Sequence, residues 1–275
     1  MEENIRIKKF LDNSDIVNLN FINSDSPYVF RRHIYHGLRS HIFQMVKKTD
    51  VEYETKGKMI DGIKFFPNSK PVGLLRIYRA AFSSYNEIKK ESNKIKLLEK
   101  YLSEENMAKS QEFVVNYKCN GNYEILLCGV QRYVDGNNID PWSDNYYDIS
   151  KEKGKIFILK IKNLIYNESL IPDLSGYRNI LKDSDNNFVL VDINNVLKVN
   201  VNSEIHLDST GYPSVDKSVE ALSLLEEKIV GKKNNFEFIY NYFLRKDRMN
   251  EVNSIEKLWK LNYEKQQDGY VFNRT

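Results

Sequence analysis

Near residue 140 the spacing of the apolar residues changes period. Before that point short apolar runs alternate with polar residues and are cut by turn residues, and after it apolar residues recur three and four apart. A period of two belongs to strands and a period of 3.6 to helices. A chain that spends its strands first and its helices second segregates sheet from helices, so the fold class is α+β.

The individual segments follow that division. "KGKMIDGIKFF" and "PVGLLRIYR" read as two strands joined by the turn "PNSK". "SSYNEIKKESNKIKLLEKYL" carries Ile88, Ile95, Leu98 and Leu102 at helical spacing. "EFVVNYKC" and "NYEILLCGV" flank Asn120-Gly121, a strong hairpin signal. The first half therefore reads β-β-α-β-β. A polar and aromatic connector, "NNIDPWSDNYYDIS", leads to a helix with Phe157, Ile158, Ile161, Leu164 and Ile165 on one face. Next comes a hairpin, "RNILK" and "FVLVD" around "DSDNN", and then three helical patterns beginning near Ser214, Phe236 and Ser254.

With 275 residues the chain can build one large domain or two lobes. A formal charge of +3 is too small to imply nucleic-acid binding. No run reaches the roughly 18 apolar residues of a membrane helix, and the first residues lack the apolar core of a secretory signal. The expected setting is a cytoplasm, that of the producing cell or of a host cell, with no membrane partner. Cys119 and Cys128 fit no zinc spacing and read as reduced structural thiols. Residues 1–50 form an N-terminal extension without an assigned role. Within it Arg31, Arg32, His33, His36, Arg39 and His41 read as a solvated helix face. Contact with phosphates or an acidic partner is the alternative.

Residues 171–195, "IPDLSGYRNILKDSDNNFVLVDINN", carry the chemistry. Asn179 and Asp192 stand 13 residues apart, the length a strand, a short turn and a returning strand need to bring both to one end of a hairpin. Read blandly, Asp173 turns the chain after a helix, and Asp192 and Asn194 close a strand.

The order of elements, together with "LLRIYR", "VQRYVDG", "PDLSGYRNIL" and "VLVDINN", resembles the protein-kinase-like superfamily, closest in local wording to the atypical RIO-type kinases. The resemblance spans roughly residues 55–200. It implies a bilobal fold, with a small β-rich N-lobe over residues 51–134 and a mainly helical C-lobe over 135–275. It further implies a phosphotransferase that uses ATP and Mg²⁺ and passes the γ-phosphate to a protein or small-molecule hydroxyl. A catalytically impaired pseudokinase serving as a binding module is the alternative. In that frame Asp173 faces the acceptor, and Asn179 and Asp192 hold the metal, a hard cation that takes oxygen ligands. Arg76 stands where the family places a nucleotide-contacting lysine, and Lys64, or Lys58, is the alternative cation. Glu91, in competition with Glu87, would be the helix partner of that cation. The backbone from Gln131 through Tyr133 to Val134 would receive the adenine.

The sequence departs from the family at several of these points. Asp173 precedes Asn179 by six residues where five is usual, so either the loop bulges or Asp173 is displaced from the position for proton transfer. No G-x-G-x-x-G is present, and Gly57 and Gly62 are the glycines near the expected place. No A-P-E-like end follows Asp192, which fits an atypical kinase, a small-molecule phosphotransferase or a pseudokinase.

Overall fold

The computed structural model describes residues 4–8, 11–19, 21–22, 25–34, 39–119, 121–143, 150–201, 204–231 and 237–268. The fold is mixed α+β, and no helix among these residues is long and apolar enough to cross a membrane. The chain divides into two compact units, Met1–Lys94 with Ala108–Tyr133, and Ile95–Met107 with Val134–Thr275.

The first unit begins with a short helix, α1 (Asn13–Val17). Asp12 and Asp15 cap it reciprocally, each carboxylate accepting the other's backbone N–H at 3.0 Å. Two strands follow, β1 (Tyr28–Ile34) and β2 (Ser40–Lys47), and then helix α2 (Lys48–Lys56). The basic segment expected to be a solvated helix face is thus a pair of antiparallel strands with an irregularity between Arg32 and Ile34. His36 lies outside the described residues.

"KGKMIDGIKFF" is likewise not one strand but a hairpin, β3 (Lys58–Ile60) and β4 (Ile63–Phe65). Asp61 and Gly62 between them have φ of 50° and 79°, the pair of positive values that a type I′ turn requires. This hairpin is exposed on both strands and stands outside the main sheet. β5 (Gly73–Tyr78) and a long hairpin, β6 (Ser110–Cys119) and β7 (Asn122–Gln131), complete a five-stranded antiparallel sheet in the order β1-β2-β5-β7-β6. Phe30, Phe43, Leu75, Ile77, Leu126 and Cys128 form a buried cluster with Ile5, Leu11, Ile16 and Leu19. The amino-terminal segment therefore covers one face of the sheet. Each such side chain contributes roughly 1.5–3 kcal/mol on burial.

Helix α3 (Tyr85–Asn106) connects β5 to β6 in sequence and is broken at Ser103, whose φ is 59°. Its later residues belong to the second unit, where Ile95, Leu98 and Leu102 are buried. There the two-residue strand β8 (Asn137–Asn138) precedes helix α4 (Lys151–Glu168), which Ser150 caps. Gly154 lets α4 pack closely, since a Cβ there would stand 2.8 Å from Ile229 and 3.1 Å from Phe188.

After α4 come β9 (Leu170–Pro172), β10 (Ile180–Lys182), β11 (Phe188–Leu190) and β12 (Val196–Lys198). β10 pairs with β11 and β8, and β9 pairs with β12, all antiparallel. The helices α5 (Ser214–Val230), α6 (Glu237–Phe243) and α7 (Lys246–Asp268) end the chain. Arg248 of α7 grips Asp216 of α5 with two hydrogen bonds of 2.5 and 3.2 Å, both groups buried.

Candidate functional site

Two strand pairings gather the residues of the 171–195 stretch. Pairing of β9 with β12 sets Pro172 opposite Val196, and the Asp173 N–H donates to the Asn195 carbonyl at 2.9 Å. Pairing of β10 with β11 sets Ile180 opposite Leu190, and the Val191 N–H donates to the Asn179 carbonyl at 2.8 Å. Asn179 therefore stands at the open end of a hairpin, with Asp192 one residue beyond its partner. The 13-residue separation does what the sequence predicts.

Asp173 is 5% exposed, and its carboxylate is held from two sides. Oδ1 accepts the Ser175 N–H at 3.0 Å and the Ser175 hydroxyl at 2.7 Å, and Oδ2 accepts the Asn195 amide at 2.9 Å. Ser218 of α5 reaches the same loop, taking the Leu174 N–H at 3.2 Å. Asn179 Nδ2 donates to the Asp173 backbone carbonyl at 2.9 Å. A carbonyl can only accept, so this bond fixes which end of the amide is nitrogen and leaves Oδ1 as the atom that can meet a cation. Gly176 lies directly against this amide, because a Cβ there would come within 2.5 Å of Nδ2 and 2.7 Å of Oδ1. Arg178, with a φ of 63°, sits in a turn that the Asn179 N–H closes on the Gly176 carbonyl at 3.2 Å.

Asp192 is half-buried, and its Oδ1 accepts the Asn194 N–H at 3.3 Å. An amide oxygen and a carboxylate are hard oxygen donors and fit Mg²⁺, which takes one or two protein ligands and fills its remaining positions with phosphate and water. Among the described residues, no three His, Cys, Asp or Glu side chains gather as a metal-binding group.

A turn on the same unit carries a further hydroxyl toward this loop. Asp208 Oδ1 accepts the N–H groups of Thr210 and Tyr212 at 2.7 and 3.1 Å, closing a turn at Gly211. The Tyr212 hydroxyl donates to Glu256 of α7 at 3.2 Å, and Trp259 of α7 packs against its ring at a tilt of 59°, with centroids 4.9 Å apart. Burial pushes the Tyr212 hydroxyl's pKa well up, and the charges of Glu256 and Asp173 add to the effect. Asn195, Ser175, Ser218 and Tyr212 were not singled out in the sequence. Asn195 had a signal, a third amide side chain just past Asp192, and Ser175 bonds Asp173 locally from two residues on, whereas Ser218 and Tyr212 are brought in by tertiary packing.

The cations and their partners in the first unit are arranged differently from expectation. Arg76 lies on β5 and is 1% exposed. Its partner is not Glu91 but Glu112 of β6, and Ser110 Oγ accepts a second bond from the guanidinium at 2.6 Å. β7 runs between those strands, and Gly129 is the register partner of both Arg76 and Glu112. A Cβ at Gly129 would stand 3.0 Å from each of the two charged groups, so the missing side chain makes the room in which they meet. Glu91 pairs instead with Lys94, three residues on, at 2.9 Å. Glu87 is a helix-capping residue that accepts the Ser83 N–H and hydroxyl, both at 2.8 Å.

Lys64 lies on the exposed β3–β4 hairpin, beside Gly57, with its ammonium 5.5 Å from the Phe66 ring centroid. Lys58 sits on the paired strand, over Tyr53. Gln131 is buried at the end of β7, and Tyr133 meets His33 edge-on at 6.0 Å. Val134, which belongs to the second unit, is buried. His41 is buried and donates from Nε2 to the Ile5 carbonyl at 3.0 Å. Burial, with Arg79 and Arg32 nearby, pushes its pKa down to about 4. Burial likewise drives the Cys128 thiol up to about 12, which fits an unreactive structural thiol.

No protein-family model matches this chain, and no curated protein matches its sequence.

Proposed function

We propose that the chain is a kinase-like phosphotransferase that binds ATP with Mg²⁺ through residues 173–195 of the second unit and transfers the γ-phosphoryl group to a hydroxyl. The observation that carries this reading is the 2.9 Å bond from the Asn179 amide to the Asp173 carbonyl, with Asp192 at the same hairpin end. That bond leaves the Asn179 amide oxygen as the atom that can meet a cation, with Asp192 following the partner strand at the same end of the hairpin and the Asp173 backbone beside the amide. The strand-first, helix-second order and the helix α3 between the third and fourth strands of the sheet also agree with it.

The division of labour follows from what each side chain can do. Bound Mg²⁺ supplies charge neutralisation at the phosphates and a template for in-line transfer. Asn179 and Asp192 hold and place it. Asp173 receives the proton of the acceptor hydroxyl or orients that hydroxyl. Ser175 and Asn195 fix the carboxylate's rotation, so little reorganisation remains when the acceptor arrives.

A specific observation favours the second reading, a pseudokinase acting as a binding module. Arg76 is committed to Glu112 inside the sheet, so the cation assigned to the phosphates is already neutralised. Production of ADP from ATP in the presence of Mg²⁺, by the native chain and by Asp173→Ala, separates the two. Turnover that Asp173→Ala abolishes supports the phosphotransferase. Tight Mg·ATP binding with no turnover by the native chain supports the binding module.

A further inference from the structure

Strand register gathers three basic side chains of the first unit on one face of its sheet. On β2, His41 pairs with Ile77 of β5, and Phe43 pairs with Arg32 of β1. Residues paired across two strands share a face, and so do residues two apart on one strand. Arg79 stands two residues past Ile77, and its N–H donates to the Arg39 carbonyl at 2.9 Å, which continues the pairing of β5 with β2. Arg32, His41 and Arg79 therefore share the face of Phe43 and Ile77, the face that the amino-terminal segment covers. Their charges act on one another. Arg79 and Arg32 both push the His41 imidazole toward its neutral form, and Arg32 lowers the Arg79 pKa.

What this cluster lacks is a countercharge at Arg79. Among the described residues the Arg79 guanidinium makes no ion pair and no hydrogen bond, and its Nε is buried. Burial and the charge of Arg32 both lower its pKa, and no carboxylate raises it. His41 is 1% exposed; its Nε2 is taken by the Ile5 carbonyl, and its Nδ1 is buried with no hydrogen-bond partner among the described residues. Arg76, on the opposite face of β5, gives the contrast, since Glu112 neutralises it there. A cation withdrawn from water calls for an opposite charge and hydrogen-bond acceptors. Arg79 is only half-buried, so a ligand can reach it from solvent. A phosphate meets both needs: its oxygens accept, a guanidinium fork takes two of them at once, and two cations beside a protonatable imidazole match a dianion better than the single charge of a carboxylate.

We infer that Arg79, with Arg32 and His41 beside it, binds a phosphate group, either free or carried by a small molecule. The site lies wholly within the first unit and does not depend on the nucleotide reading of residues 173–195.

Inorganic phosphate, titrated calorimetrically into the full chain against chloride at equal ionic strength, tests it. The native chain should bind phosphate saturably. Arg79→Gln should weaken that binding roughly tenfold or more, the effect of losing a charge-assisted hydrogen bond, and Arg79→Lys should recover part of it. The His41 ring of the native chain, followed by NMR across pH, should take up its proton at higher pH in phosphate than in chloride, because a bound anion favours the imidazolium. That measurement needs no variant and decides the matter even where Arg79→Gln fails to fold. Repeating the native titration in saturating ATP distinguishes the sources of the phosphate. Competition assigns the site to a nucleotide's phosphates and unchanged affinity to a separate phosphate ligand, and both support the site. Binding that does not saturate, native-like affinity in Arg79→Gln, or a His41 titration that phosphate does not move overturns the inference and leaves the nucleotide reading standing.

Discussion

Replacing Glu112 by alanine should destabilise the sheet of the first unit by about 3–5 kcal/mol. The Arg76 side chain is 1% exposed and that of Glu112 9%, so water cannot replace the lost carboxylate. The guanidinium would keep Ser110 Oγ, whose hydroxyl would lose Glu112 at 2.8 Å and turn to the Val130 carbonyl at 3.3 Å. An uncompensated buried charge dominates the cost, and the deleted methylenes add about 1 kcal/mol at most. The partly exposed pair Lys94–Glu91 offers the contrast, since Glu91→Ala should cost no more than about 1 kcal/mol. The double variant Arg76→Met with Glu112→Leu removes both charges and should recover most of the loss. The pair lies within one of the two compact units, so the readout is amide hydrogen exchange of β5, β6 and β7, which reports that unit's own stability. A loss under about 1 kcal/mol in Glu112→Ala would refute the reasoning, as would a double variant no better than the single.

Three further outcomes are expected. Gly176→Ala should push the Asn179 amide off the Asp173 carbonyl, because the new Cβ falls 2.5 Å from Nδ2. Calorimetry should then show Mg·ATP binding weakened while AMP binding is kept, and equal weakening would contradict the role given to Asn179. Stability should rise with pH between about 4 and 6.5, since His41 is neutral in the fold and takes a proton more readily once unfolded. His41→Gln should flatten that part of a denaturation-against-pH curve, and an unchanged slope would assign it to other groups. Trp259→Ala should loosen the Asp208–Tyr212 turn through its lost bond to the Thr210 carbonyl, 2.9 Å in the native chain. Faster hydrogen exchange at the Thr210 and Tyr212 amides would register this, and unchanged exchange would show that Asp208 suffices.

The parts of the fold that were legible in the sequence are those where local period and turn chemistry agree with tertiary context. The helices near 85–106, 151–168 and 214–230 present clean apolar faces, and Asn179 and Asp192 come to the same end of a short hairpin. β1 and β2 were hidden because Arg31, Arg32 and His33 interrupt the apolar pattern and a bulge shifts its phase. The β3–β4 turn did have a signal, Asp61-Gly62, but the continuous apolar run around it masked the reversal. The Arg76–Glu112 pair could not be read at all. It depends on β7 lying between β5 and β6, a strand order that no local pattern encodes, and on glycine rather than another residue at position 129. The candidate site was legible to the same extent: the placement of Asn179 and Asp192 at one hairpin end follows from local spacing, whereas Asn195 and Ser218 are brought to Asp173 by strand pairing and helix packing.

Thermal stabilisation by ATP, with and without Mg²⁺, in the native chain and in Asp192→Ala tests the account most directly. Asp192 is half-buried at the end of a hairpin, so its removal should leave the unliganded fold nearly intact. The account predicts a Mg²⁺-dependent rise in melting temperature for the native chain that Asp192→Ala abolishes. An equal rise in both proteins, or none in the native chain at saturating ATP and Mg²⁺, would contradict it.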